Sequence, residues 1–269
     1  MPTTKALNRI KRATVALAML PQPPPADPKM APFVIVGSGF CLDARGIIVT
    51  CQHVINVFFN RDMHQAIAEI PESDRKGAIW PVKDLRAWRP HALFYDIDSS
   101  TRELQVVPVP MEAGVAKTDY DLGVLKVSVH PLFKSGYPYL ETEDFRRVFE
   151  GMEIATCGFP LGNDLQVKTG AFTSSFTRGI LSSITPAPNF DEDMVTGFQL
   201  DITATRGNSG GPVFSWDTGK VIGVLQGAPT DESGQAVPGL VRAESIFRLI
   251  RDGTLERIHN VRSRLEGLQ

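Results

Sequence analysis

Long hydrophobic runs are missing from this chain, and so is any excess of charge of one sign. No stretch approaches the roughly 20 apolar residues that a membrane-spanning helix needs. A formal net charge of −2 over 269 residues gives no electrostatic reason to expect nucleic acid or an anionic membrane as partner. Cysteine is scarce and odd in number, with Cys41, Cys51 and Cys157 the only three. A secreted disulfide scaffold usually carries an even, denser set. A Cys41–Cys51 bridge is the one pairing their neighbouring apolar runs would allow, but free, buried thiols are the expected state. Neither a CxxC pair nor an HxxxH spacing occurs, so no metal and no other cofactor is expected.

What is present in quantity is turn chemistry on an apolar background. The chain is 42% hydrophobic, with 23 glycines and 20 prolines scattered along it. That composition favours many short strands over long helices. Near the N-terminus Lys5, Arg9, Lys11 and Arg12 precede the apolar run "ATVALAML". The combination imitates a secretory signal, but "PQPPP" follows with no small-x-small cleavage site. Ala13–Leu20 is therefore expected as a first strand and the protein as cytoplasmic, with export through an N-terminal signal as the alternative.

Further strands are expected in "FVIVGSGFCLDARGIIVTCQHVI", which turns at "DARG", and in "HALFYDIDSSTRELQVVPV", which turns at "DSST". "RDMHQAIAEI" offers a short helix between them. Strand-like runs continue through "YDLGVLKVSV", "MEIATCGFP", "AFTSSFTRGILSSI", "GFQLDITA", "GPVFSWDTGKVIGVLQGA" and "AVPGLVRA". Such regular short strands indicate a sandwich or barrel, with no internal repeat visible. From Ala243 the pattern becomes helical: Ile246, Leu249 and Ile250 share one face, and Leu255, Ile258, Val261, Leu265 and Leu268 share another.

"TRGNSGGPVF" stands out, with one serine among three glycines ahead of an apolar strand. It reads either as a plain turn or as a nucleophile loop in which Ser209 attacks a carbonyl. A serine hydroxyl is a weak nucleophile and needs an adjacent base, itself oriented by an acid. Of His53, His64, His91, His130 and His259, only His53 ends an ordered strand-like run, "GIIVTCQHVI".

With "GSGFCLDARGIIVTCQHVI", "DYDLGVLKV" and "RGNSGGPVF" in that order, the chain resembles the chymotrypsin-fold serine peptidases, in particular the HtrA/Do-like trypsin-like group. "GFPLG" and "TRGILSSI" occupy the expected places between acid and serine. The resemblance implies an all-β fold of two six-stranded β-barrels with C-terminal helices. One peptidase domain would span 1–269. Its first barrel would cover 13–130 with an insertion within 56–118, its second 145–242, and helices 243–268. It implies His53 as general base, Asp121 as the acid that orients it and Ser209 as nucleophile. Backbone N–H groups of Gly207, Asn208 and Ser209 would line the oxyanion hole. Asp119 is the rival acid, but Asp121 directly precedes the aliphatic run.

The implied reaction is hydrolysis of peptide bonds in a protein or peptide substrate through an acyl-enzyme. A catalytically silent binding barrel and an esterase with the same residues are the alternatives. Thr203, Ala204, Gln226, Gly227 and Ala228 would form an uncharged specificity pocket, with Asp201 facing it only if the register slips. Asn208 stands where zymogen-activated relatives carry aspartate, so activation by a freed N-terminus is not expected. The residues after Ala243 are too few for a PDZ domain. The long segment 56–118 is the expected seat of an activating partner.

Overall fold

The apolar run Thr14–Pro21 forms strand β1, and nearly all of it is buried. Its odd-numbered residues Val15, Leu17 and Met19 join the main core. Its even-numbered Ala16, Ala18 and Leu20 lie in a second cluster with Leu93, Tyr95 and Phe159. Successive strand side chains point to opposite faces. With both faces covered, the run shows no polar alternation. The basic residues ahead of it belong to helix α1, Thr4–Ala13, which Thr3 caps by accepting the Ala6 N–H at 3.2 Å. Lys11 and Arg12 fall in its last turn, where cations suit the helix dipole.

The computed structural model describes residues 2–21, 33–59, 88–97, 104–117, 120–160, 173–185, 195–228 and 241–251. After β1 come β2 (Val34–Asp43), β3 (Ile47–Thr50), helix α2 (Gln52–Phe59), β4 (Trp88–Ile97), β5 (Leu104–Lys117) and β6 (Leu122–Val127). These six strands close an antiparallel barrel in the order β1-β2-β3-β6-β5-β4. A second barrel is built from β7 (Glu153–Gly158), β8 (Ser175–Thr185), β9 (Gly197–Asp201), β10 (Pro212–Ser215), β11 (Val221–Gly227) and β12 (Val241–Ser245). Its order is β10-β11-β12-β9-β8-β7. Read from β7, this is the first barrel's order advanced by six strands. The fold therefore repeats with no internal repeat visible in the sequence.

The hairpin expected in "HALFYDIDSSTRELQVVPV" is present as β4 and β5, barrel strands paired from His91↔Pro110 to Ile97↔Leu104. Residues 60–87, with the helix expected at "RDMHQAIAEI", lie outside the described residues, as does the turn at "DSST". Ala243 does not begin a helix, since β12 pairs with β9 and β11 and runs on to Ser245. Helix α3 follows at Phe247–Arg251, and the second tail helix lies outside the described residues.

The connector between the barrels is fastened to both. Tyr137 and Leu140 donate backbone N–H bonds to Ala44 and Cys41 of the first barrel, at 2.8 and 2.9 Å. Glu143 donates to Val221 of the second at 2.8 Å. On the outer face of β1, the rings of Tyr95 and Phe159 stack with centroids 5.6 Å apart. One barrel thus packs directly on the other, and the seam holds the residues described next.

Candidate active site

Strands β3 and β6 are neighbours, with Thr50 opposite Gly123. Where β3 gives way to α2, that register sets His53 beside the turn that carries Asp121 into β6. Asp121 grips His53 twice. One carboxylate oxygen lies 2.7 Å from Nδ1, and the other accepts the His53 backbone N–H at 2.9 Å. A carboxylate can only accept, so Nδ1 carries a proton, and in the neutral imidazole Nε2 is left as the acceptor. The histidine side chain is about half exposed and Asp121 about one-quarter, so the pair opens onto solvent. Asp119, the rival acid, lies outside the described residues.

Ser209 comes from the second barrel, in the turn between β9 and β10. Gly207 and Gly210 adopt φ of 97° and 88°, in the left-handed region that favours glycine. At Gly210 space is also lacking: a Cβ there would sit 2.0 Å from the Ser38 carbonyl oxygen and 2.2 Å from Thr50 Oγ1. The turn is held from the first barrel by Ser38. Its N–H donates to the Ser209 carbonyl at 2.8 Å and its hydroxyl to the Gly207 carbonyl at 2.7 Å. The same hydroxyl accepts the Phe159 N–H at 3.0 Å.

Among the described residues the N–H groups of Gly207 and Ser209 have no acceptor, which leaves two donors for an anion. Asn208 corrects the expected set of three. Its N–H closes the turn onto the Thr205 carbonyl at 3.1 Å and is already engaged. The Ser209 hydroxyl donates to the Gln226 carbonyl at 2.8 Å, so its proton is directed at β11 and not at an imidazole nitrogen.

The residues expected to line a pocket divide. Gly227 borders the serine, since a Cβ there would lie 3.6 Å from Ser209 Oγ. Ala204 and Ala228 pack half-buried against the core, and Thr203 is exposed at the turn's entry. Gln226 is the exception. It sits where the β11–β12 register shifts, between Leu225 and Gly227. Its Nε2 lies 3.0 Å from Glu244 Oε1 and 3.4 Å from Asp121 Oδ2. It therefore backs the acid and does not line the pocket. Sequence reading also missed Ser38, Glu244 and Arg248. For Ser38 the signal was there: a serine between two glycines on a strand marks close backbone approach.

The remaining described histidines serve the framework. His91 is buried in β4, where desolvation lowers its pKa, and His130 caps a short 3₁₀ turn through Nδ1. All three cysteines are free and buried, as expected. Burial raises each thiol's pKa, that of Cys157 to about 11. Ligand atoms of Cys51, His53 and Asp121 fall within 4.8 Å of one another. Their donor set does not fit a metal, because His53 and Asp121 already satisfy each other and burial keeps the Cys51 thiol protonated, donating to the Leu225 carbonyl at 3.2 Å.

Two closed six-stranded barrels with these groups facing each other across the seam define a chymotrypsin-type fold. The sequence profile of the trypsin-like peptidase domain matches residues 37–224, well over half of the chain, and the chain belongs to that family. It is similar to "Protease Do-like 2, chloroplastic" of Arabidopsis thaliana, 30% identical over 145 residues, which are 52% of this chain and 22% of that protein. It is also similar to "Probable periplasmic serine endoprotease DegP-like" of Rhizobium meliloti (strain 1021), 30% identical over 146 residues, 51% of this chain and 25% of that protein. The chain thus matches about a quarter or less of the length of these curated relatives.

Among solved structures, the "HtrA-type protease AlgW with decapeptide" aligns with TM-score 0.57 and 17% identity over 95% of this chain and 68% of that one. The "Crystal structure of Deg5" aligns with TM-score 0.55 and 19% identity over 92% and 90%. At such identities these two support the fold alone. Among the described residues no helix is long and apolar enough to cross a membrane. The cytoplasmic placement expected from the sequence finds no support, because the relatives are named as chloroplastic and periplasmic.

Proposed function

We propose that the two barrels form one serine endopeptidase domain that cleaves protein chains through an acyl-enzyme. The observation that carries this reading is the double grip of Asp121 on His53, opposite a glycine turn that leaves two N–H groups without acceptors. Ser209 would swing from the Gln226 carbonyl, give its proton to His53 Nε2 and attack the scissile carbonyl. The N–H groups of Gly207 and Ser209 would receive the developing oxyanion, where each donor is worth about 10²–10³ in rate. His53 would then protonate the leaving amine, and water would repeat the sequence on the ester. Thr203, Ala204, Gly227 and Ala228 offer no charge, so cleavage is expected after small or medium aliphatic residues.

The Ser209–Gln226 bond supports a resting state that must rearrange before attack, and we place an activating partner on the segment within 56–118. Weak basal turnover that rises on adding a peptide or partner is the expected behaviour. High basal turnover of unfolded casein, unaffected by trimming 61–87, which stops short of β4, would count against it. By analogy with its chloroplastic and periplasmic relatives, we take the protein to act in an exported compartment, which fractionation checks.

Fluorophosphonate labelling combined with casein and ester hydrolysis tests the activity. Labelling and proteolysis, both lost in Ser209→Ala, are the expected result. Hydrolysis of esters alone would make it an esterase, and no labelling under any condition would leave a binding barrel.

A further inference from the structure

At the Asp121 carboxylate, on the same Oδ2 that meets His53 Nδ1, begins a chain of polar side chains that nothing in the reaction above requires. The Gln226 amide nitrogen lies between Asp121 Oδ2 (3.4 Å) and Glu244 Oε1 (3.0 Å). Both neighbours are carboxylates that can only accept, so the amide must present its NH₂ and spend one hydrogen on each. Glu244, on β12, accepts from Arg248 Nη1 at 3.1 Å through its other oxygen, across one turn into α3. The Arg248 guanidinium also lies over the ring of Tyr120, 3.9 Å from its centroid. Tyr120 is the residue just before Asp121. Helix α3 therefore reaches the Asp121 turn by two routes, one through Glu244 and Gln226 and one through Tyr120.

This pair is not a surface decoration. Glu244 and Arg248 side chains are only 16% and 18% exposed, in a region where water screens charge poorly. Burial pushes the Glu244 carboxyl above its usual range, Arg248 opposes the rise, and Asp121 adds to it. Around Asp121 the charged and titratable groups come from every neighbouring element. His53 lies on α2, Cys51 just before it, Glu244 on β12 and Arg248 on α3. Burial keeps Cys51 a neutral thiol, so the balance rests on His53, Asp121, Glu244 and Arg248.

We propose that Glu244 and Arg248 are positioning residues that hold the Asp121 carboxylate through the Gln226 amide and the Tyr120 ring, so that the helix after the second barrel sets the charge behind His53. The proposal rests on the peptidase reading. Removing Arg248 leaves the Glu244 charge uncompensated, which favours a protonated imidazole. Removing the charge of Glu244 does the opposite. Removing both returns the site to its original net charge.

The test is the pH dependence of kcat/KM on a peptide substrate for the whole chain and for Arg248→Ala, Glu244→Gln, the double variant and Arg248→Lys. The acid limb is expected to move up by about half a pH unit in Arg248→Ala and down by a similar amount in Glu244→Gln. It should return towards the parent position in the double variant and stay there in Arg248→Lys. KM should change little throughout. Glu244→Gln is nearly isosteric and carries the test if Arg248→Ala fails to fold. Altered thermal stability with unmoved acid limbs would reduce the pair to a structural tie and overturn the proposal. If the parent protein neither labels with fluorophosphonate nor hydrolyses any substrate, the peptidase reading itself falls and takes this proposal with it.

Discussion

The two barrels share one strand order, yet they bring their functional groups into place by different means. In the first barrel, His53 and Asp121 stand at the ends of adjacent strands β3 and β6 and bond directly to each other. Once that barrel closes, the pair is formed. In the second, the turn with Ser209 depends on a residue of the other barrel, since Ser38 holds the carbonyls of Gly207 and Ser209. The serine half of the site is thus a product of docking, and the histidine half is a product of local pairing. A damaged seam should lose the turn and strip Asp121 of its Gln226 contact, while the direct His53–Asp121 bonds persist.

The largest expected effect breaks the local half. Asp121→Asn keeps the size of the side chain but turns an obligate acceptor into a group that can also donate, so the imidazole loses its enforced tautomer. Turnover should fall about 10⁴-fold while the circular dichroism spectrum is unchanged. A loss under tenfold would mean that another acid, Asp119 foremost, serves His53.

Breaking the docked half should cost less per residue. Ser38→Ala removes the hydroxyl bond to the Gly207 carbonyl and strips the Phe159 N–H of its acceptor, but keeps the backbone bond to Ser209. A destabilisation of about 1–3 kcal/mol is expected, read from denaturant midpoints, because a buried donor is left unpaired. Turnover should drop about 10- to 100-fold with KM nearly unchanged, as the oxyanion donors lose their alignment. If stability falls and turnover does not, Ser38 is a seam residue only.

How much of this was legible follows the same division. The His53 and Ser209 motifs could be read because turn chemistry and a strand-ending histidine are local patterns. The partners of Gln226 could not, because β11, β12 and the Asp121 turn meet only after both barrels close. The resemblance implied Gln226 as a pocket wall, and its side chain meets the acid instead. The hairpin of β4 and β5 was legible from its turn and its strand-like runs, but its pairing with β1 and β6 spans long sequence separations and leaves no local mark. Conversely, the cysteines were read correctly from count and apolar neighbours alone, since burial of a thiol needs no partner.

A smaller effect concerns the seam under acid. His91 lies on β4 in step with Leu93 and Tyr95, whose cluster includes Phe159 of the second barrel. Desolvation lowers its pKa from the usual 6.5, so the folded protein prefers the neutral ring. The unfolded chain then binds the proton more readily. The contribution of His91 to stability is complete above pH 6.5 and is lost as pH falls through the folded value. Urea midpoints should therefore decline from pH 7 to pH 5, and His91→Gln should flatten part of that decline. An unchanged slope in the variant would assign the acid sensitivity elsewhere.

The smallest effect tests whether the two barrels are separable at all. Cys41 and Cys51 report on the first barrel and Cys157 on the second, and all three are fully buried. Their raised pKa values leave little thiolate at neutral pH, so alkylation requires the protein to open. If the Tyr95–Phe159 seam and the Ser38 bonds make one cooperative unit, both barrels open together. Mass-resolved alkylation in moderate urea should then modify all three cysteines at one common rate, with no singly labelled species accumulating. Labelling of Cys157 well ahead of the other two would show the second barrel opening on its own. The serine turn would in that case be the weaker half of the site for a structural reason, and Ser38→Ala should widen the gap between the two rates.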